Sequence, residues 1–205
     1  MVCTGNAGRS PVAELIANNH LNEIGAGDDY EAVSSGTMVD RFSKGGGFPI
    51  KVMTPLIDIA RGQGLYDVES LKRLDEALRN GDRETIEFYF NKAAKEFSGR
   101  EISHRERILR DLGISGTVKD TRDQTVPRQN AIAVLPMDRK NYVPVLDIYE
   151  GSEYTPIISV LSVLATGDLN AEVANSFGLG PEVYRERIEQ LAHEVPIAVG
   201  KVIGA

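Results

Sequence analysis

The hydrophobic and polar positions of this chain follow a helical spacing over much of its length. In six stretches the apolar residues recur every three or four positions, as they do in amphipathic helices. Most of these stretches end at a glycine, and the predicted helices are 10–25, 55–62, 68–81, 86–99, 103–113 and 181–196. We expect Ser10 to cap the first helix, with Pro11 at its first position. Pro196 is expected to kink or end the last one.

Short apolar runs between the helices have the length of strands. Residues 131–135 are typical of a buried parallel strand, and 30–34 are a second candidate that precedes a turn at 35–37. The run 157–164 fits either a strand or a helix. Residues 38–48, which contain three consecutive glycines, are interpreted as a loop. Strands that alternate with helices predict an α/β sandwich around a parallel sheet.

Composition and charge argue against several classes of protein. The 205 residues are 41% apolar and carry a net charge of −7 without a Lys/Arg-rich run, so we expect no nucleic-acid partner. No apolar stretch approaches the roughly 18 residues of a membrane span, and the N-terminus lacks a signal-peptide core, which predicts a soluble, cytoplasmic protein. A single cysteine and three widely spaced histidines predict neither a disulfide nor a metal site, and we expect no cofactor.

Residues 3–11, Cys-Thr-Gly-Asn-Ala-Gly-Arg-Ser-Pro, combine the groups that phosphate chemistry uses. Two glycines and Asn6 tolerate left-handed backbone, so the loop can curl and point its N–H groups at an oxyanion, beside the positive end of a helix. That field and Arg9 favour the thiolate of Cys3, and the Arg9 guanidinium can bind two phosphate oxygens. The segment predicts phosphoryl transfer to Cys3, followed by hydrolysis of the thiophosphate. The alternative is an inert buried cysteine before an ordinary helix.

Residues 2–14, VCTGNAGRSPVAE, resemble the phosphate loop and first helix of the low-molecular-weight protein-tyrosine-phosphatase family. Further segments resemble the same family in the same order: SSGT at 34–37, LGI at 112–114, MDRKN at 137–141 and GPEVY at 180–184. The resemblance implies a three-layer α/β sandwich with a small parallel sheet and the phosphate loop at a strand-to-helix turn. It also implies metal-free hydrolysis of phosphotyrosine-like monoesters, in a phosphotyrosine-containing protein or a small aryl phosphate.

The same resemblance assigns roles within the loop. Cys3 would be the nucleophile and Arg9 the residue that clamps the phosphate. The residues that bind phosphate would be Thr4, Gly5, Asn6, Ala7, Gly8, Arg9 and Ser10. Asn6 would hold the shape of the loop, and Ser10 would hydrogen-bond the thiolate and help it leave. A turn residue and a helix cap are the structural interpretations of these two, and both kinds of role can hold at once.

Two features of the chain's organisation depart from the family. Only two residues precede Cys3, where the family has a full strand, so either the strand begins upstream or another segment takes its place. The connection between Thr37 and Leu112 is longer than the family's short one. We therefore predict a single domain, 1–205, with an inserted pair of helices near 66–100. The pair would act as a cap on the core, or as a lid or partner surface over the active site.

A third departure concerns the general acid, which the family places in an Asp-Pro pair before its last helix. The matching position is Asn175, whose amide cannot donate a proton as a carboxylic acid does. Asp168 is a candidate substitute, although its Thr-Gly-Asp setting is typical of a turn. Two functions stay open beside a phosphatase: a phospho-ligand or oxyanion binder with weak turnover, and an arsenate reductase-like activity. A thioredoxin-coupled relay needs further cysteines, whereas a glutathione- or mycothiol-dependent variant does not.

Overall fold

A computed structural model describes residues 1–43, 48–120 and 122–204 of the chain. Its strands are β1 (Val2–Cys3), β2 (Ser35–Gly36), β3 (Ala133–Val134) and β4 (Ile157–Ile158). Its helices are α1 (Arg9–Glu23), α2 (Val39–Ser43), α3 (Ile50–Gly62), α4 (Val68–Asn80), α5 (Arg83–Asp111), α6 (Arg139–Tyr149), α7 (Leu161–Thr166) and α8 (Pro181–Ile203).

The strands are short, but they line up in one parallel arrangement. β1 pairs with β2, and β3 pairs with β4. A parallel bridge between Val2 and Pro136 joins the two pairs, and another joins Gly36 to Gln124. The order across the sheet is therefore Gln124, β2, β1, β3 and β4. The central position of β1 puts the turn that follows it in the middle of the carboxyl edge, where α/β sheets bind ligands.

Hydrogen bonds on both sides hold β1 in place. Val2 donates to the Leu135 carbonyl (3.0 Å) and accepts from Met137 N–H (2.9 Å). On the other side, Ser35 N–H donates to the Met1 carbonyl (3.0 Å) and Thr37 N–H to the Cys3 carbonyl (3.0 Å). The strand that carries Cys3 is thus hydrogen-bonded to both neighbouring segments through Met1, Val2 and Cys3.

Helices cover both faces of the sheet. Successive strand residues point to opposite faces, and accordingly Cys3 packs in the core beneath α1 and α8, whereas Val2 packs with Val145 and Tyr149 of α6. The α1–α8 layer also includes α7 and the C-terminal part of α5. The predicted α/β sandwich of three layers around a small parallel sheet is confirmed.

A helical unit, α3 to α5, forms a second apolar cluster beside this sandwich. The fully buried members of this cluster are Met53, Ile57, Ala60, Leu74, Ile86 and Ala93. Asp67 caps α4 by accepting from Ser70 N–H (2.7 Å), and Asp82 caps α5 by accepting from Thr85 N–H (3.3 Å). The helices predicted at 68–81 and 86–99 are therefore present, together with α3.

Three predictions on the first half of the chain were wrong. Residues 30–34, the candidate strand, have no regular structure, and the strand is formed by 35–36, where a turn was expected. The reason is the register with β1, which pairs Val2 with Ser35. Part of the loop predicted at 38–48 is the short helix α2, while 44–47, which include the three glycines, lie outside the described residues. Helix α3 begins at Ile50 rather than near Pro55, and its buried face offsets the hydrogen bond that the proline removes.

Two expected helix breaks are also absent. Helix α5 continues through Gly99 and Ser103, where one helix was expected to end and another to begin. A glycine costs a helix only about 1 kcal/mol, which the buried residues on both sides of it offset. The Ser103 hydroxyl donates back to the Arg100 carbonyl (2.8 Å) instead of capping a new helix. Likewise, α8 continues through Pro196. The run 157–164, which fitted either a strand or a helix, forms β4 and then the first part of α7.

Candidate active site

Residues 4–8 connect the end of β1 to the start of α1, and they are called the phosphate loop below because the sequence predicts that they bind phosphate. The curl of the loop depends on Asn6, which takes the left-handed conformation with φ of 47° that the sequence suggested for its glycines and asparagine. Gly8 precedes the first turn of α1 and, as a glycine, has no side chain that could cap it. The N-terminal N–H groups of α1 lie next to the loop, and N–H groups at a helix N-terminus are suited to binding an anion.

Ser10 lies beneath the loop, next to the sulfur of Cys3. Its fully buried hydroxyl is 3.0 Å from Cys3 Sγ, 3.0 Å from Asn6 Oδ1 and 3.2 Å from the Ser35 carbonyl oxygen. One hydroxyl proton serves these acceptors in turn. The prediction that Ser10 caps α1 was wrong, because the helix begins at Arg9 and the hydroxyl points to the sulfur instead.

Arg9 is buried at the end of the loop, and its orientation is fixed from one side. Its Nη1 donates to Asp138 Oδ2 (2.5 Å) and to the Val173 carbonyl (2.6 Å). Asp138 also caps α6 by accepting from Asn141 N–H (2.9 Å). The carboxylate thus neutralises the buried guanidinium and ties it to the strand next to β1. This role of Asp138 was missed in the sequence, although 137–141 is one of the family-like segments.

Asn141 links the same carboxylate to the other end of the loop. In the orientation that matches donors with acceptors, the amide nitrogen of Asn141 donates to Asp138 Oδ1 (2.9 Å). The amide oxygen accepts from Thr4 Oγ1 (2.9 Å) and from Thr4 N–H (3.2 Å). The first residue of the loop is thereby connected through Asn141 and Asp138 to Arg9. A closed set of hydrogen bonds of this kind preorganises the loop before a ligand arrives.

Gly36 supports the loop from β2 by the absence of a side chain. A Cβ at this position would stand 2.8 Å from the Asn6 nitrogen and 2.8 Å from the Thr4 carbonyl oxygen, both of which are backbone atoms. The backbone of β2 and the backbone of the loop therefore approach so closely that only glycine fits at position 36. The family-like segment 34–37 is explained by this contact.

Glu14 holds the beginning of the same segment. Its carboxylate accepts from Ser34 N–H (2.8 Å) and pairs with Lys119 Nζ (2.7 Å). Burial opposes the ionisation of Glu14, but the hydrogen bonds from Lys119 and Ser34 outweigh it and keep the pKa of this carboxyl below its usual value. Glu14 is thus a charged link between α1 and the chain that leads into β2.

The two residues considered for the general acid lie apart from the loop's interior. Asp168 is exposed after α7, and its carboxylate accepts from Asn170 N–H (2.9 Å) as in a turn. Asn175 is exposed in the irregular segment before α8, two residues after Val173, whose carbonyl contacts Arg9. Neither side chain brings a carboxyl group to the phosphate loop.

A different carboxyl group, that of Glu101 in α5, approaches the loop from the helical unit. Glu101 lines a cavity of about 40 Å³ together with Asn6 and Ala7. Burial raises the pKa of Glu101 to about 7, although the charges of Arg9 and Arg105 act in the opposite direction. No sequence pattern points to this residue, because a glutamate on an amphipathic helix is normally exposed to solvent.

Comparisons with known proteins agree with the fold and with the family resemblance. A family profile described as "Low molecular weight phosphotyrosine protein phosphatase" matches residues 1–46, which hold the loop, α1 and β2. The resemblance to this phosphatase family is confirmed. A protein tyrosine phosphatase from Entamoeba histolytica, solved with Hepes in its active site, has a similar fold, with a TM-score of 0.54 and 16% identity over 96% of this chain and 90% of that one. YfkJ from Bacillus subtilis superposes with a TM-score of 0.50 and 18% identity, over 94% and 87% of the two chains.

At these identities the two structures establish the fold, and the profile adds a similarity to the phosphatase family over residues 1–46. No curated protein sequence matches the chain. The family match and the fold support a phosphatase-type function that acts on phosphorylated substrates. Within the described ranges, no helix is both long and apolar enough to cross a membrane.

Proposed function

We propose that this protein hydrolyses phosphate monoesters as a protein tyrosine phosphatase, through a cysteinyl-phosphate intermediate. Its substrates would be phosphotyrosine side chains of proteins or small aryl phosphates. The observation that carries the proposal is the Ser10 hydroxyl at 3.0 Å from Cys3 Sγ, at the base of a loop that ends in Arg9. A nucleophile, a group that stabilises its thiolate and a bidentate cation are thereby gathered at one helix N-terminus.

In the first step, the Cys3 thiolate attacks phosphorus, so that an S–P bond forms as the ester P–O bond breaks. The loop N–H groups and the first turn of α1 would bind the oxygens that do not react. Arg9 would add two N–H donors in one plane, where charge spreads over those oxygens in the transition state. The hydrogen bonds of Arg9 to Asp138 and to the Val173 carbonyl support this role, because they hold the guanidinium in one orientation.

In the second step, water attacks phosphorus and the S–P bond breaks. Cys3 leaves as a thiolate, and a hydrogen bond from the Ser10 hydroxyl stabilises that charge. Hydrogen bonds to charged groups contribute about 1.5–3 kcal/mol. This step would require no metal ion, because Arg9 and the backbone donors supply the positive charge.

The surroundings of the loop favour an aryl substrate. Phe177 and Tyr184 line the cavity beside Asn6 and Ala7, together with Ile102. The cavity itself has room only for a water-sized group, so a phenyl ring would lie outside it and contact the aromatic and aliphatic side chains from there. The free thiol that the mechanism requires is kept reduced in the cytoplasm, and we place the reaction there.

We further propose that residues 1–205 form one domain into which the helices near 66–100 are inserted. The separate apolar cluster of α3 to α5 supports an insertion, and Glu101 beside the phosphate loop supports a lid-like position for part of it. Because α3 belongs to the same cluster, the inserted unit would extend from α3 into α5.

Replacement of the sulfur tests this function. Cys3→Ser should abolish hydrolysis of para-nitrophenyl phosphate but leave vanadate and phosphate binding intact, because the hydroxyl is not ionised in this loop while the cradle is unchanged. Substantial turnover by the variant would exclude covalent catalysis by Cys3. A parent protein that binds phosphate tightly without turnover would instead indicate the phospho-ligand binder, a function favoured by the amide at position 175.

A further inference from the structure

Helix α5 brings a carboxyl group to the edge of the phosphate loop. Glu101 Oε2 lies 3.5 Å from the point where a Cβ would stand on Gly8, the last residue of the loop. The cavity between Glu101 and the loop measures about 40 Å³, which is room for a water-sized group. An oxygen atom in this cavity would lie between the carboxyl group and the loop.

The second oxygen of this carboxyl group has an unusual environment. Glu101 Oε1 is shielded from solvent, and none of the described residues hydrogen-bonds to it. A buried polar atom without a partner costs about 1–3 kcal/mol, and an ionised carboxylate costs more. Burial therefore favours the protonated acid, which carries the proton that a general acid needs.

Charged groups surround Glu101 on several sides. Arg9 and Arg105 favour its ionised form, and burial outweighs them, so that the pKa of Glu101 is raised to about 7. The other ionisable groups that line the cavity are Lys119, Asp120, Arg122 and Tyr184. Arg100 and His104 line a second cavity on another side of Glu101. A group that titrates near neutral pH can both donate and accept a proton at the working pH.

Helix α5 also packs against the segment around Asn175, where the family carries its acidic residue. Phe97 precedes Glu101 by one helical turn and packs edge-on against Phe177, with ring centroids 6.1 Å apart. Phe177 lies two residues after Asn175. Helix α5 thus contacts the segment around Asn175 through Phe97, and one turn later its Glu101 lines the same cavity as the phosphate loop.

We propose that Glu101 is the general acid and base of the phosphatase reaction, in place of the aspartate that the family carries where this chain has Asn175. The inference rests on the proposed function. In the first step the Glu101 carboxylic acid gives its proton to the ester oxygen as the P–O bond breaks. In the second, the Glu101 carboxylate takes a proton from the attacking water as the S–P bond breaks, which restores the acid and the Cys3 thiolate.

The test compares two isosteric substitutions on the same helix. Glu101→Gln removes the acid, whereas Glu106→Gln removes an exposed glutamate and serves as the control. A general acid contributes about 10²- to 10⁴-fold, mainly for leaving groups that are strong bases. Glu101→Gln should therefore lower kcat/KM, which the first step determines, by about that factor for phenyl phosphate and far less for para-nitrophenyl phosphate. Loss of the base should lower kcat for both substrates when hydrolysis of the thiophosphate limits turnover. The fall in parent activity above about pH 7 should disappear in this variant, and Glu106→Gln should behave like the parent.

Vanadate binding, measured in parallel, shows whether the loop is intact. If Glu101→Gln does not bind vanadate, Glu101→Asp is measured instead. This variant keeps the carboxylic acid, but its side chain is one methylene shorter, so the acid lies farther from the loop. The aspartate variant should lose activity on phenyl phosphate and keep its alkaline decline. If the parent is active and both substitutions leave its leaving-group dependence and its pH profile unchanged, the role of Glu101 is overturned while the proposed function stands. A parent without Cys3-dependent turnover would overturn the proposed function and this inference with it.

Discussion

Arg9 and Asp138 form a buried ion pair, with Arg9 Nη1 2.5 Å from Asp138 Oδ2, although 129 residues separate them in the sequence. The pair joins the start of α1 to the turn between β3 and α6. Because parallel strands end at the same edge of the sheet, the residue that follows one strand can orient a residue that follows its neighbour. The geometry of the proposed clamp is therefore set from the adjacent strand.

Asp138→Asn should reduce catalysis by removing the charge that orients Arg9. Loss of one partner of a buried ion pair typically costs about 3 kcal/mol of stability, and a small displacement of a catalytic group can cost about 10²-fold in rate. We expect losses of this order in the urea unfolding free energy and in kcat/KM for para-nitrophenyl phosphate. Asp111→Asn breaks an exposed pair with Arg185 of the same 2.5 Å length and should cost less than about 1 kcal/mol. Equal effects of the two substitutions would contradict this account of Asp138.

Ser10→Ala should make the Cys3 sulfur less reactive. A hydroxyl at 3.0 Å would donate a hydrogen bond to the proposed thiolate, so its loss should slow alkylation of Cys3 by iodoacetate at neutral pH about tenfold, with a similar fall in kcat. The measurement is unambiguous because Cys3 is the only cysteine of the chain. Ser103→Ala, at an exposed position of α5, is the control. Unchanged alkylation in the Ser10 variant would show that the hydroxyl serves the other acceptors instead.

Gly36→Ala should disrupt the loop through steric contact alone. The added methyl group would stand 2.8 Å from two backbone atoms of the loop, so the loop must move. Overpacking of this kind costs about 1–3 kcal/mol, and phosphate affinity should fall together with stability. Gly99→Ala meets nothing within 4 Å in the middle of α5 and should instead stabilise the protein by about 1 kcal/mol. Calorimetric titration with phosphate and thermal unfolding of both variants measure the difference, and full phosphate affinity in Gly36→Ala would contradict the steric argument.

Asp168→Asn should leave the reaction unchanged. The side chain is exposed and accepts one backbone hydrogen bond in a turn, which an asparagine can also do. We expect the same dependence of kcat on leaving-group basicity as in the parent, measured with a series of aryl phosphates. A steeper dependence in the variant would assign the acid to Asp168 and remove the need for Glu101.

The phosphate loop could be predicted from the sequence because its chemistry is local. The α/β architecture was also predictable, from apolar runs that alternate with amphipathic stretches. The positions of the strands were not, because each strand is two residues long and its bounds depend on the register with a neighbour.

Partners that are distant in sequence could not be derived from spacing. Nothing in the vicinity of Asp138 indicates that it binds Arg9, and only the family-like segment around it pointed to a role. Glu101 carries no local signal at all, since its burial results from the packing of α5 between the loop and α8. Local propensity predicts a helix end at Gly99 and a kink or an end at Pro196, but both helices continue because tertiary packing overrides that preference.

The covalent intermediate is the central claim, and it can be trapped. The protein is mixed with a radiolabelled aryl phosphate and denatured within the first turnover, and the label is then mapped by proteolysis. We expect one phosphoryl group on the peptide that contains Cys3, absent from Cys3→Ser and lost from the parent with time as water hydrolyses it. Turnover of the aryl phosphate without label on Cys3 at any time would contradict the mechanism.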